Sequence, residues 1–267
     1  MPDAVLVEVD ERGVATVTLN RPEVNNAYDE AMLRGLHAAV DAAEQSLTTT
    51  SPVRCVVLRG NGRHFQAGAD LRWLHTVRAG SPEENLAASE LTGSAVRRLS
   101  LLDVPVVALV QGACFGGGTG VLAAADVVIC GEDSVFSIAE VRWGLHASII
   151  LPQLADAIGA RQVRRYALTG ERFDAAEARR IGLVHEVVPR ESLEARGAEV
   201  VEAVLASGPG AVATTKRRAR DLSWTAVDDQ SFVDLVVEHS TARQSDEAAE
   251  GLAAFGDKRP PAWAPAP

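Results

Sequence analysis

No run of about 18 apolar residues occurs anywhere in this 267-residue sequence, so no segment is long enough to cross a bilayer as a helix. The opening residues, Met1 to Asp10, also lack the basic patch and apolar core of a secretory leader. Together these absences set the expectation of a soluble, cytoplasmic protein. Cysteine is scarce. Cys55, Cys114 and Cys130 form no CxxC pair and sit inside apolar runs, which reads as buried reduced thiols and excludes a disulfide framework. His64 and His75 have no second ligand at metal spacing, so no metal site is expected. Positive charge is in deficit: 26 Lys and Arg against 36 Asp and Glu give a net charge of -10. That balance argues against a nucleic-acid backbone or an anionic membrane surface as the main partner, and any phosphate site must be a local patch. Aromatic residues make up 4% and are not interleaved with basic ones, which disfavours RNA binding.

What is present is enough apolar material, 47% of residues, to bury a core without metal or disulfide. Residues 5–9 and 14–19 are rich in β-branched side chains and flank a turn from Asp10 to Gly13, which predicts a hairpin. Ala31, Met32, Leu36, Ala39, Val40 and Ala43 recur at helical spacing over residues 29–46, with Asp29 as N-cap. The short apolar runs at 55–58, 106–110 and 127–130 are too short for helices and read as buried strands. A small-residue helix is expected from Gly117 to Ala125. The polar stretch 76–85, with Gly80, Ser81 and Pro82, reads as a mobile surface loop. Beyond residue 148 the pattern is helix after helix, with one short strand over 183–188, until Pro260 and Pro261. Strands alternating with helices predict an α/β layered core over residues 1–199, followed by a helical module over 200–267 of the kind that often serves assembly.

Two glycine-bearing turns follow buried strands and open helices. The first is Gly60 to Leu71, with small residues at 67–69 that leave the backbone bare to a ligand. The second is Gln111 to Gly118, where free N–H groups and a helix dipole favour negative charge. The second turn does not spell GxGxxG, and no well-placed acidic residue follows to hold a ribose, so a dinucleotide site is disfavoured.

The strings Phe65-Gln66-Ala67-Gly68-Ala69-Asp70-Leu71, Gly112-Ala113-Cys114-Phe115-Gly116-Gly117-Gly118 and Phe136-Ser137-Ile138-Ala139-Glu140 resemble, in order and spacing, the successive signatures of the crotonase (enoyl-CoA hydratase/isomerase) superfamily. Leu19-Asn20-Arg21-Pro22, Asn26-Ala27, Leu168-Thr169-Gly170, Gly182-Leu183-Val184, Glu250-Gly251 and Phe255 extend the resemblance over nearly the whole chain. It implies a spiral of β-β-α units with a C-terminal helical module that packs trimers, or hexamers as dimers of trimers. It also implies an acyl-CoA thioester substrate, coenzyme A arriving as part of that substrate and no separate cofactor. By position, the backbone N–H groups of Ala69 and Gly117 would form the oxyanion hole, and Glu140 would be the catalytic carboxylate. Ala67, Gly68, Asp70, Arg72 and Gly116 fall at substrate- or CoA-binding positions, Trp143 is a candidate acyl-pocket wall, and Lys258 resembles a basic residue that reaches a neighbouring subunit's CoA.

The sequence departs from the two-glutamate pattern of such hydratases: the first glutamate position is Gly120. Three readings stay open. Glu140 alone can hydrate an enoyl-CoA, as in single-glutamate hydroxycinnamoyl-CoA hydratase-lyases, whose Cys-Phe-Gly-Gly-Gly and Glu-x-x-Trp-Gly runs resemble Cys114 to Gly118 and Glu140 to Gly144. Glu140 can instead shuttle a proton between α- and γ-carbons, as in enoyl-CoA isomerases. The site can also be an acyl-CoA binder without turnover. The hydroxycinnamoyl enzymes carry a tyrosine in the helix after the first turn, and near Trp73 and Leu74 there is none. Arg142 or Arg172 could tie Glu140 into a structural ion pair, and His146 lies close enough in sequence to tune it.

Overall fold

The computed structural model describes residues 3–47, 51–222 and 228–264. In chain order the strands are β1 (Val5–Val9), β2 (Val14–Leu19), β3 (Cys55–Gly60), β4 (Val106–Val110), β5 (Ala113–Phe115), β6 (Val127–Gly131), β7 (Val135–Ser137), β8 (Phe173–Asp174) and β9 (Glu186–Val188). The helices are α1 (Glu30–Ser46), α2 (Leu71–Ala79), α3 (Pro82–Leu101), α4 (Gly117–Ala123), α5 (Leu151–Thr169), α6 (Ala175–Ile181), α7 (Leu193–Leu205), α8 (Pro209–Leu222), α9 (Asp229–Ala242) and α10 (Asp246–Asp257).

Six strands form one sheet in the order β1-β2-β3-β4-β6-β9, parallel except for the β1–β2 hairpin. Period-two alternation sends Val56, Leu58, Val106, Ala108 and Val110 into a large core shared with α1, α3, α5 and α6. Cys55, Val57, Val107 and Leu109 point to the other face, where Leu193, Val201 and Leu205 of α7 cover them. Strands buried on both faces read as unbroken apolar runs, which is why they stand out in the sequence. Helix α7 spans residues 199 and 200 without a break, so its sheet-covering face lies on both sides of the division expected there.

A second sheet, β5-β7-β8, stands beyond the ends of the first. Strand β5 pairs in parallel with β7, Cys114 opposite Phe136 and Phe115 opposite Ser137, and β7 pairs antiparallel with β8. Phe136, Phe173 and Tyr166 stack in its core.

Several expectations need correction. Residues 76–85 are not a loop: α2 runs to Ala79 and α3 begins at Pro82. Ser81 caps α3 through a capping box with Glu84, and Pro82 sits in the first turn, where its missing N–H costs nothing. Two short strands, β8 and β9, interrupt the later helices instead of one. Leu183 and Val184 are buried in the connection before β9 and lie outside it. Helix α4 ends at Ala123, two residues earlier than expected. The hairpin, α1 with its Asp29 cap, and the strands at 55, 106 and 127 agree with the sequence reading. All three cysteines are free and buried. No helix among the described residues is long and apolar enough to cross a membrane.

Candidate active site

The two glycine-bearing turns leave the same ends of β3 and β4 and are tied to each other through their backbones. Phe65 N–H donates to the Gln111 carbonyl at 2.8 Å, Gln66 N–H to Ala113 at 3.1 Å, and Phe115 N–H back to Gln66 at 2.9 Å. Buried side chains lock the loop outside these bonds. The Asn26 amide donates to the carbonyls of Asn61 and His64, and the Gln111 amide to that of Gly60. His64 is a structural clamp: its Nδ1 accepts the Ala113 N–H at 2.9 Å, and burial with the nearby Arg63 charge holds its pKa below the ordinary value.

This lattice determines which N–H groups are spent. Tyr28 N–H donates to the Gly68 carbonyl and Asp70 N–H to the Tyr28 carbonyl, both at 2.8 Å, so Tyr28 bridges across Ala69 and the Ala69 N–H points away from it. Ala67 N–H is taken by the Asn25 carbonyl and Gly116 N–H by Ser137. Gly117 is the first residue of α4, and its N–H has no intrahelical acceptor. Among the described residues, no protein acceptor meets the N–H of Ala69 or of Gly117. The turns also need glycine. Gly68 and Gly116 have φ of +89° and +52°, and a Cβ on Gly68 would lie 3.1 Å from the Phe115 carbonyl oxygen.

Glu140 arrives at this place from β7, whose pairing with β5 fixes its approach. A Cβ built on Gly116 would lie 3.3 Å from Glu140 Oε1 and 3.9 Å from Gly68 Cα, so the carboxylate and both turns converge. Its other oxygen, Oε2, is buried with no hydrogen-bond partner. Neither arginine neutralises it: Arg142 donates to the Gly170 carbonyl at 2.8 Å, and Arg172 lies over the Phe115 ring. Burial pushes the Glu140 pKa above the ordinary carboxylate value. An unpaired, half-buried carboxylate with a raised pKa is the form a general base takes.

The glycine at 120 has a steric cause. A Cβ there would lie 2.3 Å from Ile150 Cγ2 and 2.5 Å from Ile150 Cβ, and Ile150 is 1% exposed. The volume a second carboxylate would occupy is filled by isoleucine.

The remaining sequence candidates distribute as follows. Asp70 caps α2 by accepting the Arg72 N–H and pairs with Arg21 at 3.0 Å; burial works against its charge, but these contacts hold its pKa below the usual range. The Arg72 side chain is exposed beside the first turn. Trp143 lies three residues past Glu140 and is 67% exposed in this chain. His146 is exposed and bonded to Ser148. Lys258 is the exposed left-handed cap of α10. The tail that follows it is fastened at Arg54, whose guanidinium donates to the Trp263 carbonyl just before β3 begins. The turns lie at the other end of that strand, so Lys258 is not brought to this chain's own site. Two residues that sequence reasoning passed over are in contact with the site, Tyr28 and Ile150. Only the position of Tyr28 beside Asn26-Ala27 could have drawn notice to it.

A parallel sheet flanked by helices, with paired turns presenting free N–H groups to one carboxylate, is the arrangement of a crotonase-fold protein. Solved structures agree: AtuE of Pseudomonas aeruginosa matches with a TM-score of 0.91 at 35% identity, covering 98% of this chain and 100% of that one. An enoyl-CoA hydratase from Shewanella pealeana matches with a TM-score of 0.90 at 32% identity, covering 97% and 96%. Among curated relatives, the hydroxycinnamoyl-CoA hydratase-lyase of Pseudomonas fluorescens is 32% identical over 238 residues, 86% of this chain and 84% of that protein. The enoyl-CoA hydratase/isomerase family model matches residues 10–265, and the chain belongs to that family of enzymes.

Proposed function

We propose that this enzyme adds water across the double bond of an α,β-unsaturated acyl-CoA, with Glu140 as the one carboxylate and the N–H groups of Ala69 and Gly117 as an oxyanion hole. The observation that carries the reading is the convergence of an unpaired carboxylate on two turns whose N–H groups lack protein acceptors. In the addition, a water proton passes to Glu140 as the water oxygen bonds the β-carbon. The π electrons move toward the thioester, and negative charge collects on its oxygen between the two N–H donors. Glu140 then returns the proton to the α-carbon, so one carboxylate closes the cycle. Each such donor is worth about 2.7–4 kcal/mol of barrier where it has been removed elsewhere. No cofactor enters these steps.

Ala67, Gly68, Asp70, Gly116 and Arg72 border the same approach and are proposed to meet the CoA portion. Lys258 and Trp143 are proposed to act only across a subunit contact. Assembly as a trimer fits the exposed apolar residues Phe232, Val233, Val236 and Val237 on α9, and Trp143, Leu145 and Ile149 beside the site.

The test is Glu140→Gln with crotonyl-CoA. Water addition should fall by roughly 10²–10⁴-fold while acyl-CoA binding persists. Unchanged turnover would move the proton work elsewhere. Running crotonyl-CoA and a 3-enoyl-CoA side by side in deuterated water separates the two readings: β-hydroxyacyl-CoA from crotonyl-CoA is the hydratase product, whereas a shifted double bond in the 3-enoyl-CoA with no hydration of crotonyl-CoA would make the enzyme an isomerase.

A further inference from the structure

The proton route through Glu140 leaves Tyr28 unused, although Tyr28 is attached to both turns. Its backbone brackets Ala69 through the Gly68 carbonyl and the Asp70 N–H. Its ring lies against the first residue of α4: a Cβ on Gly117 would be 2.6 Å from Tyr28 Cε1 and 2.9 Å from the hydroxyl oxygen. Trp73 holds the ring edge-on from α2, with centroids 5.8 Å apart at 66°. The phenol is thereby pinned with its oxygen beside the carbon whose N–H faces the site. Tyr28 is only half-buried and its hydroxyl oxygen is not among the buried polar atoms that lack a partner, so the hydroxyl is within reach of a water molecule. Burial, reinforced by the negative charge of Glu140, pushes its ionisation well above the ordinary phenol value. The group therefore stays neutral at physiological pH, with one donor and two acceptor positions.

Position 120 adds the second half of the case. With Ile150 filling the space beside Gly120, position 120 offers the attacking water no second contact. A water held by Glu140 alone is free to swing about a single hydrogen bond, and a small misplacement of a reacting atom is costly in rate.

We propose that the Tyr28 hydroxyl is a further catalytic group, which holds the reacting water by a hydrogen bond opposite Glu140; this rests on the hydratase reading above. The water gives one hydrogen to Glu140 and directs the other to the phenol oxygen, which leaves a lone pair for the β-carbon. As the C–O bond forms, the O–H bond toward Glu140 breaks. The O–H bond toward Tyr28 stays intact and becomes the hydroxyl hydrogen of the product. Tyr28 neither gains nor loses a proton, in keeping with its neutrality.

Tyr28→Phe removes the oxygen and keeps the ring packed between Gly117 and Trp73. Two reactions of the intact enzyme are compared: hydration of crotonyl-CoA, and exchange of the α-hydrogens of butyryl-CoA with deuterated water. The exchange uses Glu140 and the two N–H donors but no nucleophilic water. In the variant, kcat for hydration should fall roughly tenfold to a hundredfold, with KM and the exchange rate within about twofold of wild type. Hydration at the wild-type rate overturns the proposal. So does a parallel fall of hydration and exchange, which marks a structural role, or a rise in KM at constant kcat, which marks recognition of the acyl chain. If the wild-type enzyme exchanges α-hydrogens but does not hydrate crotonyl-CoA, the hydratase reading itself has failed and the water-holding role goes with it. Tyr28→Leu, which also removes the ring, should lower both reactions and serves as the packing control.

Discussion

Gly120→Ala adds a single methyl group to α4, yet the structure leaves that methyl no place. Its carbon would lie 2.3 Å from Ile150 Cγ2, 2.5 Å from Ile150 Cβ and 3.3 Å from Ile150 Cδ1, where about 3.5–4.0 Å is comfortable. A rotamer change can move the first and third of these atoms but not Ile150 Cβ, which is fixed by its own backbone. Either α4 or the start of α5 must therefore shift. Overpacking of this kind costs about 1–3 kcal/mol. Alanine recovers about 1 kcal/mol over glycine through helix propensity, which leaves a net loss of up to roughly 2 kcal/mol. All three of the nearest atoms belong to Ile150, so Ile150→Gly removes every one. Glycine is acceptable at that N-cap, although losing the buried side chain costs at least about 2–5 kcal/mol. In the Ile150→Gly background, Gly120→Ala should reverse sign and stabilise by about 1 kcal/mol. The measurement is the urea midpoint of all four proteins at one protein concentration, with the slope checked for constancy. The same destabilisation by Gly120→Ala in both backgrounds would refute the steric explanation for the missing second carboxylate.

Glu140→Gln also carries a stability signature. Burial raises the folded pKa of Glu140 above the ordinary 4.5, so its charged form opposes folding as pH rises through that raised value. Glutamine should therefore increase the unfolding midpoint at pH 8, with the advantage vanishing below about pH 4.5; a difference independent of pH would argue against an unpaired carboxylate. At the opposite end of the sheet, Lys216 is 8% exposed and donates to Asp126 Oδ2 at 2.6 Å and the Val104 carbonyl at 2.9 Å, fastening α8 to the start of β4. Lys216→Met should cost about 2–4 kcal/mol in chemical denaturation, and Asp126→Asn in the same chain should recover part of it. No loss in the single variant would mean that the pair does not hold α8.

The central strands were legible because both faces of β4 are covered, which makes Val106–Val110 an unbroken apolar run. The misreading at 76–85 has the opposite cause. Gly80, Ser81 and Pro82 are turn-formers by composition, but Ser81 and Pro82 with Glu84 in this spacing are the start signal of a helix, and Gly80 is only the joint between two helices. Strand β8 has two residues and no periodicity to detect; it exists because β7 offers it an edge. At the site, Ala69, Gly117 and Glu140 were found through motif resemblance, since backbone donors leave no side-chain signature of their own. The absence of a glutamate at 120 was visible in the sequence, but its cause lies thirty residues away at Ile150. Tyr28 was missed because its partners, Gly117 and Trp73, come from two later segments of the chain.

The small sheet β5-β7-β8 and the bridges at Tyr28–Ala69 and Gln66–Cys114 have a consequence for how such a protein can diverge. The segments that carry the two N–H groups and the carboxylate are spaced by main-chain bonds, which any sequence able to form the same turns reproduces. Apart from the glycines of the turns and the clamps Asn26, His64 and Gln111, side chains around them are free to drift without moving the reacting groups relative to one another. Descendants can thus trade one acyl partner for another by altering the walls alone, while the machinery beneath is inherited as a shape.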